Sequence, residues 1–344
     1  MRKGIVVVGA VFVDIKGYPD DLYVPTGRNV GRIDYVHGGV ARNVVEDIAN
    51  VELRPTYLGI VDDGPMGAAV VQKLNNHKVN TQYMPVVPDS MGSWLAVFDH
   101  KGDLAGSISK RPNMLPLLPV LEEKGDEIFS NCDSVILEID IELDVVKAVI
   151  ALAKKHGKKI VAVVSNMGIA AQRRDLLQHI DCIICNQLEA GILFADDYES
   201  KTADEIREIL PAKVTAANYP CLIVTLGADG AVYADKEGNT GFCPARKVQV
   251  KDTTGAGDSY CAGVAIGLTY GKTMEEAMNI GTTLAASVIS SYDNVCPRFL
   301  PAEFGIDAAA TELMWMENNC SLKMKYPRTC KVRGFLAIYC LPWK

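Results

Sequence analysis

The stretch DTTGAGDSYCAG, residues 252–263, sets a glycine-rich turn against the start of an apolar helix. Backbone N–H groups at a helix start carry fixed positive partial charge, which suits an anion. Gly255, Ala256 and Gly257 have almost no side chain, so phosphate oxygens can approach their backbone closely. One residue further on stands a carboxylate, Asp258. Phosphoryl transfer to an alcohol needs these two features side by side: donors for the moving phosphoryl group and an acceptor for the alcohol proton. The helix dipole favours ionised Asp258, readying it as a base at neutral pH. Taken alone, the same motif also reads as a tight turn followed by a helix cap.

Other chemistries lack their residues. The first apolar run, VVVGAVFVD, has no GxGxxG, so the dinucleotide fingerprint is missing. GLTYGKT, residues 267–273, has three residues between its glycines where a P-loop needs four, and a helix precedes it; it reads as a helix–helix turn. No HExxH or GxSxG occurs. Cys182 and Cys185 form a CxxC inside the strand-like DCIICN, where odd spacing sends the thiols to opposite faces. His37, beside the GG pair, has nothing nearby to tune it and reads as structural or exposed.

A net charge of −7 over 344 residues argues against a nucleic-acid polymer as partner. No apolar stretch approaches a membrane span. The start, MRKGIVVVGAVFVDIKG, imitates a signal peptide, but Asp14 and Lys16 interrupt its apolar run. A buried strand over 4–13, a cytoplasmic location and reduced thiols are the expectations.

These residues need a frame to bring them together. Val- and Ile-rich strands such as SVILEID, KKIVAVVS, DCIICN and CLIVTLG alternate with helical stretches such as VVKAVIALAKKHG. That pattern predicts a mainly parallel sheet covered on both faces. The polar early strands and the hairpin GSWLAVFDHKGDLAGSIS, turning at HKGD, fit that sheet poorly. They are expected to form a small second sheet acting as a lid, from about 15–36 and 91–110. Residues 309–344, with two of the three tryptophans and no clear period, read as an appended extension to a domain of residues 1–308.

DTTGAGDSYCAG resembles the C-terminal signature of the PfkB (ribokinase-like) carbohydrate and nucleoside kinases. GGVARN, residues 38–43, resembles their N-terminal signature, and VDDGPMG at 61–67 fits the glycine-containing stretch that follows it. Order and spacing match over roughly residues 4–305. The resemblance implies a ribokinase-like three-layer α/β/α sandwich with a small β-sheet lid, through which family members often form homodimers. It implies Asp258 as catalytic base and Gly255, Ala256 and Gly257 as anion hole. Asp14, Gly39 and Asn43 would bind the sugar, with Glu138 facing the cleft in a less defined role. CNQLEAG resembles the family's N-x-x-E motif, so Asn186 and Glu189 would organise Mg²⁺ and phosphate through water. Thr225 and Gly227 in VTLGADG fall where the family binds nucleotide, and Asn279 is placed on the purine side. ATP and Mg²⁺ are the implied cofactors; a monovalent cation is left open.

Within the family, GGVARN in place of a lysine-glycine version looks most like pseudouridine kinases, which phosphorylate a ribose 5′-hydroxyl. Phe12 stands where relatives often carry Asn, which removes a polar contact and adds a ring that could select by stacking or shape. Ribose, another nucleoside or a sugar phosphate stay open as substrates, as does a non-catalytic nucleoside-binding regulator on the same fold. A sugar phosphate would need cations, for which Arg42 and Arg111 are the nearby candidates.

Overall fold

The computed structural model describes residues 3–307, so the expected extension at 309–344 lies outside the described residues. In chain order the strands are β1 (Ile5–Val8), β2 (Phe12–Pro19), β3 (Gly31–Gly38), β4 (Thr56–Leu58), β5 (Gly92–Phe98), β6 (Leu104–Lys110), β7 (Ser134–Glu138), β8 (Lys159–Val163), β9 (Cys182–Asn186), β10 (Cys221–Thr225), β11 (Ala231–Asp235) and β12 (Thr240–Cys243). The α-helices are α1 (Val40–Asn50), α2 (Pro65–Asn76), α3 (Leu118–Ser130), α4 (Leu143–Lys155), α5 (Met167–Ala170), α6 (Arg174–Leu177), α7 (Gln187–Phe194), α8 (Ala203–Ala217), α9 (Ala256–Thr269) and α10 (Met274–Ile289).

Eight strands form one sheet in the order β12-β11-β10-β9-β8-β7-β1-β4. Six of them, β4 through β10 in that row, run parallel, while β11 and β12 turn back as an antiparallel edge. Each apolar run splits its residues between two faces, as strand pleating requires. Cys182 and Ile184 enter the core shared with α1, α2, α9 and α10. Ile183 and Cys185 enter the core shared with α3, α4, α7 and α8. The CxxC thiols therefore point apart, and both are free and buried.

The chain leaves β1 toward β4 on one side and returns to β7 on the other, so strand order reverses between β1 and β7. In open α/β sheets ligands bind beyond the carboxyl ends of the strands at such a reversal. The expected strand over 4–13 is broken there. β1 ends at Val8, and the chain crosses at residues 9–11 into a second sheet, so Asp14 lies on β2 and not at the end of the first strand. Side chains satisfy the backbone at the break: Tyr57 Oη donates to the carbonyls of Gly9 and Ala10, and the Ala10 N–H donates to Glu138 Oε2 at 2.8 Å.

The second sheet has the order β3-β2-β5-β6. It begins at Phe12, three residues before the expected start, and its β5–β6 hairpin falls where the sequence places one. Pairing puts Val36, Asp14, Trp94 and Ser109 on one rung, and Asp34, Lys16, Ala96 and Ser107 on the next rung of the same face. Tyr35, Ile15, Leu95 and Ile108 form a rung on the opposite face.

Helix α9 is buried along most of its length, which fixes the turn that opens it. Polar residues of α1 pin it further. Asp47, fully buried, accepts hydrogen bonds from Ser259 Oγ of α9 at 2.7 Å and from the Cys296 N–H at 2.6 Å. Burial pushes its pKa up to about 7 against those donors, with Asp258 adding repulsion. The unfolded chain ionises near 3.8 while the folded one stays protonated toward 7, so this group removes stability as pH rises through that window. The loss is on the order of 4 kcal/mol at its limit. Asp47→Asn keeps an acceptor for Cys296 and offers Ser259 a donor. It is expected to flatten the fall in urea midpoint between pH 5 and pH 8 and to match or exceed wild type at pH 8; a lower midpoint than wild type at pH 8 contradicts this role.

Candidate active site

Two glycines in positive-φ conformations open the site. Gly39 (φ 100°) precedes α1, and Gly255 (φ 81°) precedes α9. A β-carbon on Gly255 would sit 2.1 Å from the Asn294 carbonyl oxygen, so no other residue fits that turn. A β-carbon on Gly257 would meet nothing within 4 Å, which leaves the approach to the turn open.

The two helix starts meet through Asn43 and Asp258. Asn43 Nδ2 donates to Asp258 Oδ2 at 2.7 Å. Arg42 decides which way that amide points: its guanidinium donates to Asn43 Oδ1, leaving Nδ2 for the carboxylate. Arg42 also donates to the His37 carbonyl and pairs with Glu46; both partners of that pair are 1% exposed. Arg42 is thus committed inside the protein, which removes it as a cation for a sugar phosphate. Arg111 is exposed at the foot of β6.

Asp258 is half-buried. Burial pushes its pKa up to about 6, with the Asn43 hydrogen bond and the Arg42 charge pulling the other way. Desolvation outweighs the two lowering effects of Asn43 and Arg42. Asp258 is still mostly ionised at pH 7, by about one unit.

Asp14 is half-buried and raised by burial, with Lys16 and Arg42 lowering it in part. Its carboxylate lies over Gly38, 2.9 Å from where a β-carbon would stand. It therefore sits beside the glycine pair that opens α1, on the same side as Asn43. Phe12 packs its ring onto Gly92 and the core, so much of its surface is already used.

Glu138 ends β7 at the strand reversal but is only 2% exposed. Its oxygens accept from the Ala10 N–H and from Ser165 Oγ at 3.2 Å, so it faces the end of β1 and not open solvent. Burial pushes it up to about 8, with Asp140 and Asp258 adding repulsion. Asp140, not singled out in the sequence, shares Ser165 with it.

Asn186 and Glu189 cap α7 reciprocally. Glu189 N–H donates to Asn186 Oδ1 and Asn186 N–H to Glu189 Oε2, each at 2.8 Å. That leaves Asn186 Nδ2 and Glu189 Oε1 without a hydrogen-bond partner among the described residues. Glu189 is raised by burial first, then by Asp140 and Asp258, so its field reaches the same cleft. Thr225 sits beside Asn186 in the β9–β10 register, and Gly227 (φ 56°) follows with open space around it. Asn279 lies apart on α10, where it accepts from Arg246 at 3.4 Å and lines a cavity of about 420 Å³ with Lys272, Phe299 and Phe304.

The structure therefore gathers Asp14, Gly39, Asn43 and the 255–258 turn, and sets Asn186, Glu189, Thr225 and Gly227 along neighbouring strand ends. Sequence reading missed Asp47, Ser259 and Lys16. Asp47 follows Asn43 by four on one helix, and Lys16 follows Asp14 by two on one strand, so spacing from a known site residue was the available signal.

Comparison with known proteins bears on the family and the fold. The profile described as "pfkB family carbohydrate kinase" matches residues 2–295. The chain is 33% identical over 301 residues to guanosine-inosine kinase from Exiguobacterium acetylicum, covering 87% of this chain and 98% of that protein. It is 23% identical over 293 residues to pseudouridine kinase from Escherichia coli K12, covering 83% and 90%, so a special likeness to pseudouridine kinases is not supported. The ribokinase of Arabidopsis thaliana, solved with ribose and ATP, superposes with a TM-score of 0.76 at 21% identity, covering 88% of this chain and 99% of that one. An anion-ready turn beside a cleft carboxylate, on a ribokinase-like fold, is thus joined by a family match across most of the sequence, and the chain belongs to the pfkB family of carbohydrate kinases.

Proposed function

We propose that this kinase transfers the terminal phosphoryl group of ATP to the ribose 5′-hydroxyl of a nucleoside, with purine nucleosides the first candidates. The observation that carries the reading is Asp258, half-buried and held by Asn43, immediately beyond the open Gly255–Gly257 turn. In this reading Asp14, Gly39 and Asn43 hold the sugar. The N–H groups of 255–257 take the phosphoryl oxygens, and Asp258 accepts the alcohol proton. Thr225 and Gly227 contact the nucleotide, with Asn279 toward its base. The second sheet closes as a lid and excludes water.

Among the described residues no group of three His, Cys, Asp or Glu side chains could cage a metal. Yet Asp140, Glu189 and Asp258 raise one another or Glu138, so a cation between them relieves real repulsion. That fits a hydrated Mg²⁺ with phosphate as its main ligand, which would neutralise charge on the triphosphate. Glu189 Oε1 would accept hydrogen bonds from its waters, and Asn186 Nδ2 would donate to a phosphate oxygen.

A flat base is favoured by the face of the second sheet that carries Asp14. Trp94 pairs with Asp14 in register, and Phe98 lies edge-on to it with centroids 6.5 Å apart. Phe98 in turn stacks on Tyr18 at 4.7 Å. Such a row offers stacking surface that ribose alone would not use. The relative with 33% identity is named for guanosine and inosine, and that choice replaces pseudouridine as the first substrate to test.

The opposite face of the sheet exposes Ile33, Tyr35, Leu95 and Ile108, by 63, 60, 44 and 71%. An apolar row of this kind on a sheet suits a second copy of the chain, giving a homodimer through the lid.

Two outcomes test these readings. With guanosine, inosine, pseudouridine, adenosine and ribose as acceptors, Asp258→Asn is expected to lower turnover by roughly 10²–10⁴-fold while ATP affinity is kept. Wild-type kcat/KM should rise with pH through about 6, as Asp258 ionises, and then level; near wild-type turnover of the variant removes the base assignment. By sedimentation velocity, wild type is expected to run as a dimer and Ile108→Asp as a monomer; a wild-type monomer at micromolar concentration rejects the lid interface.

A further inference from the structure

Lys16 is a cation of the cleft that neither the family match nor the proposed roles put to use. It lies on β2, two residues beyond Asp14, and therefore on the same face of the second sheet. Its rung neighbours are Asp34 and Ala96. Asp34 already pairs with Arg32 at 2.9 Å, and the Lys16 ammonium makes no hydrogen bond or ion pair among the described residues. It is half-buried.

Its charge acts in two directions. It lowers the pKa of Asp14, at the sugar end of the cleft. It also lowers that of Asp252, which caps the loop leading into the 255–258 turn through the Thr254 N–H. Lys16 thus shares a sheet face with Asp14 and lies close enough to the loop before the 255–258 turn for its charge to act on Asp252.

The surroundings are acidic. Lys16 lowers Asp14 and Asp252, Asp140 and Asp258 raise Glu189, and a nucleoside triphosphate would add further negative charge. The Arg42 guanidinium is locked against Glu46. Backbone N–H groups offer only partial charges.

We propose that Lys16 contacts the phosphoryl group in transit, placing its ammonium on the oxygens that gain charge in the transition state. This rests on the kinase reading above. In the step, the bond from the terminal phosphorus to the bridging oxygen breaks and its electron pair leaves with ADP. A bond forms from that phosphorus to the acceptor oxygen, and the acceptor proton passes to Asp258. Lys16 exchanges no proton; it supplies charge and keeps the phosphoryl group directed at the acceptor.

The experiment compares wild type, Lys16→Met and Lys16→Arg. Lys16→Met is expected to lose roughly 10²–10³-fold in kcat, the range for removing one donor to a developing oxyanion. The acceptor KM should stay within about threefold, and the urea midpoint should match wild type. Lys16→Arg should recover at least about tenfold of the loss, because the charge returns with different geometry. Calorimetric binding of ATP and ADP supplies a readout independent of any acceptor: wild type should favour ATP over ADP by more than Lys16→Met does. Unchanged kcat, a loss confined to acceptor KM, or the same ATP-to-ADP preference in both proteins overturns the proposal. Absence of turnover by wild type on every acceptor would count against the kinase reading instead, and the ATP-to-ADP comparison would still decide the role of Lys16.

Discussion

A single hydrogen bond from Asn43 to Asp258 joins two helix starts that lie 215 residues apart in the chain. Everything at the site depends on that meeting. The glycine before α1 and the glycine before α9 each bring a helix N-terminus to the same place. One start faces the sheet that carries Asp14, and the other faces the strand ends that carry Asn186 and Thr225. The bond sets the distance between them. Its polarity is fixed from behind, because Arg42 takes the amide oxygen and leaves the amide nitrogen for the carboxylate. Glu46 holds Arg42, and Lys73 holds Glu46 at 2.8 Å, so the orientation is anchored back to α2.

The same construction carries a thermodynamic cost. Asp47, Glu138 and Asp258 are carboxyls raised by burial, and Asp258 adds repulsion at the other two. A chain selected for stability alone would not gather them. They persist on a scaffold of apolar strands and a buried α9, whose packing offsets the desolvation. The arrangement suits a site where positive charge accompanies an anionic ligand, since cations there relieve the repulsion between the carboxyls. The 255–258 turn opens a helix that is buried along most of its length and cannot shift without opening the core.

Much of this was legible in the sequence where one local rule sufficed. The buried strands after the first, the opposite-facing cysteines of CxxC, the hairpin at HKGD and the helix–helix turn at GLTYGKT follow from periodicity and turn chemistry, and the fold places each as read. The turn at 255–258 was legible because glycine, small residues and an acid occur together. Other features required knowledge of what lies across the chain. The apolar run from Gly4 to Val13 gives no sign that it changes sheets at residues 9–11, because the signal is supplied by Tyr57 and Glu138 from other strands. Arg42 looked free because Glu46, its partner, is identified only once α1 is known to be buried on that side. The upward shift of Asp258 was hidden for the same reason: a helix start is visible in sequence, but desolvation is not. The substrate was the least legible, since the aromatic row of Tyr18, Phe98 and Trp94 exists only through strand register.

A double-mutant cycle on Asn43 and Asp258, read as turnover with the best acceptor, addresses the central claim most directly. If Asn43 acts by holding Asp258 in its working orientation, Asn43→Ala should slow turnover by roughly tenfold or more when Asp258 is present. It should change turnover by less than about twofold when Asp258 is already Asn. Equal fold-losses in the two backgrounds would show that the residues work independently, and would contradict the account.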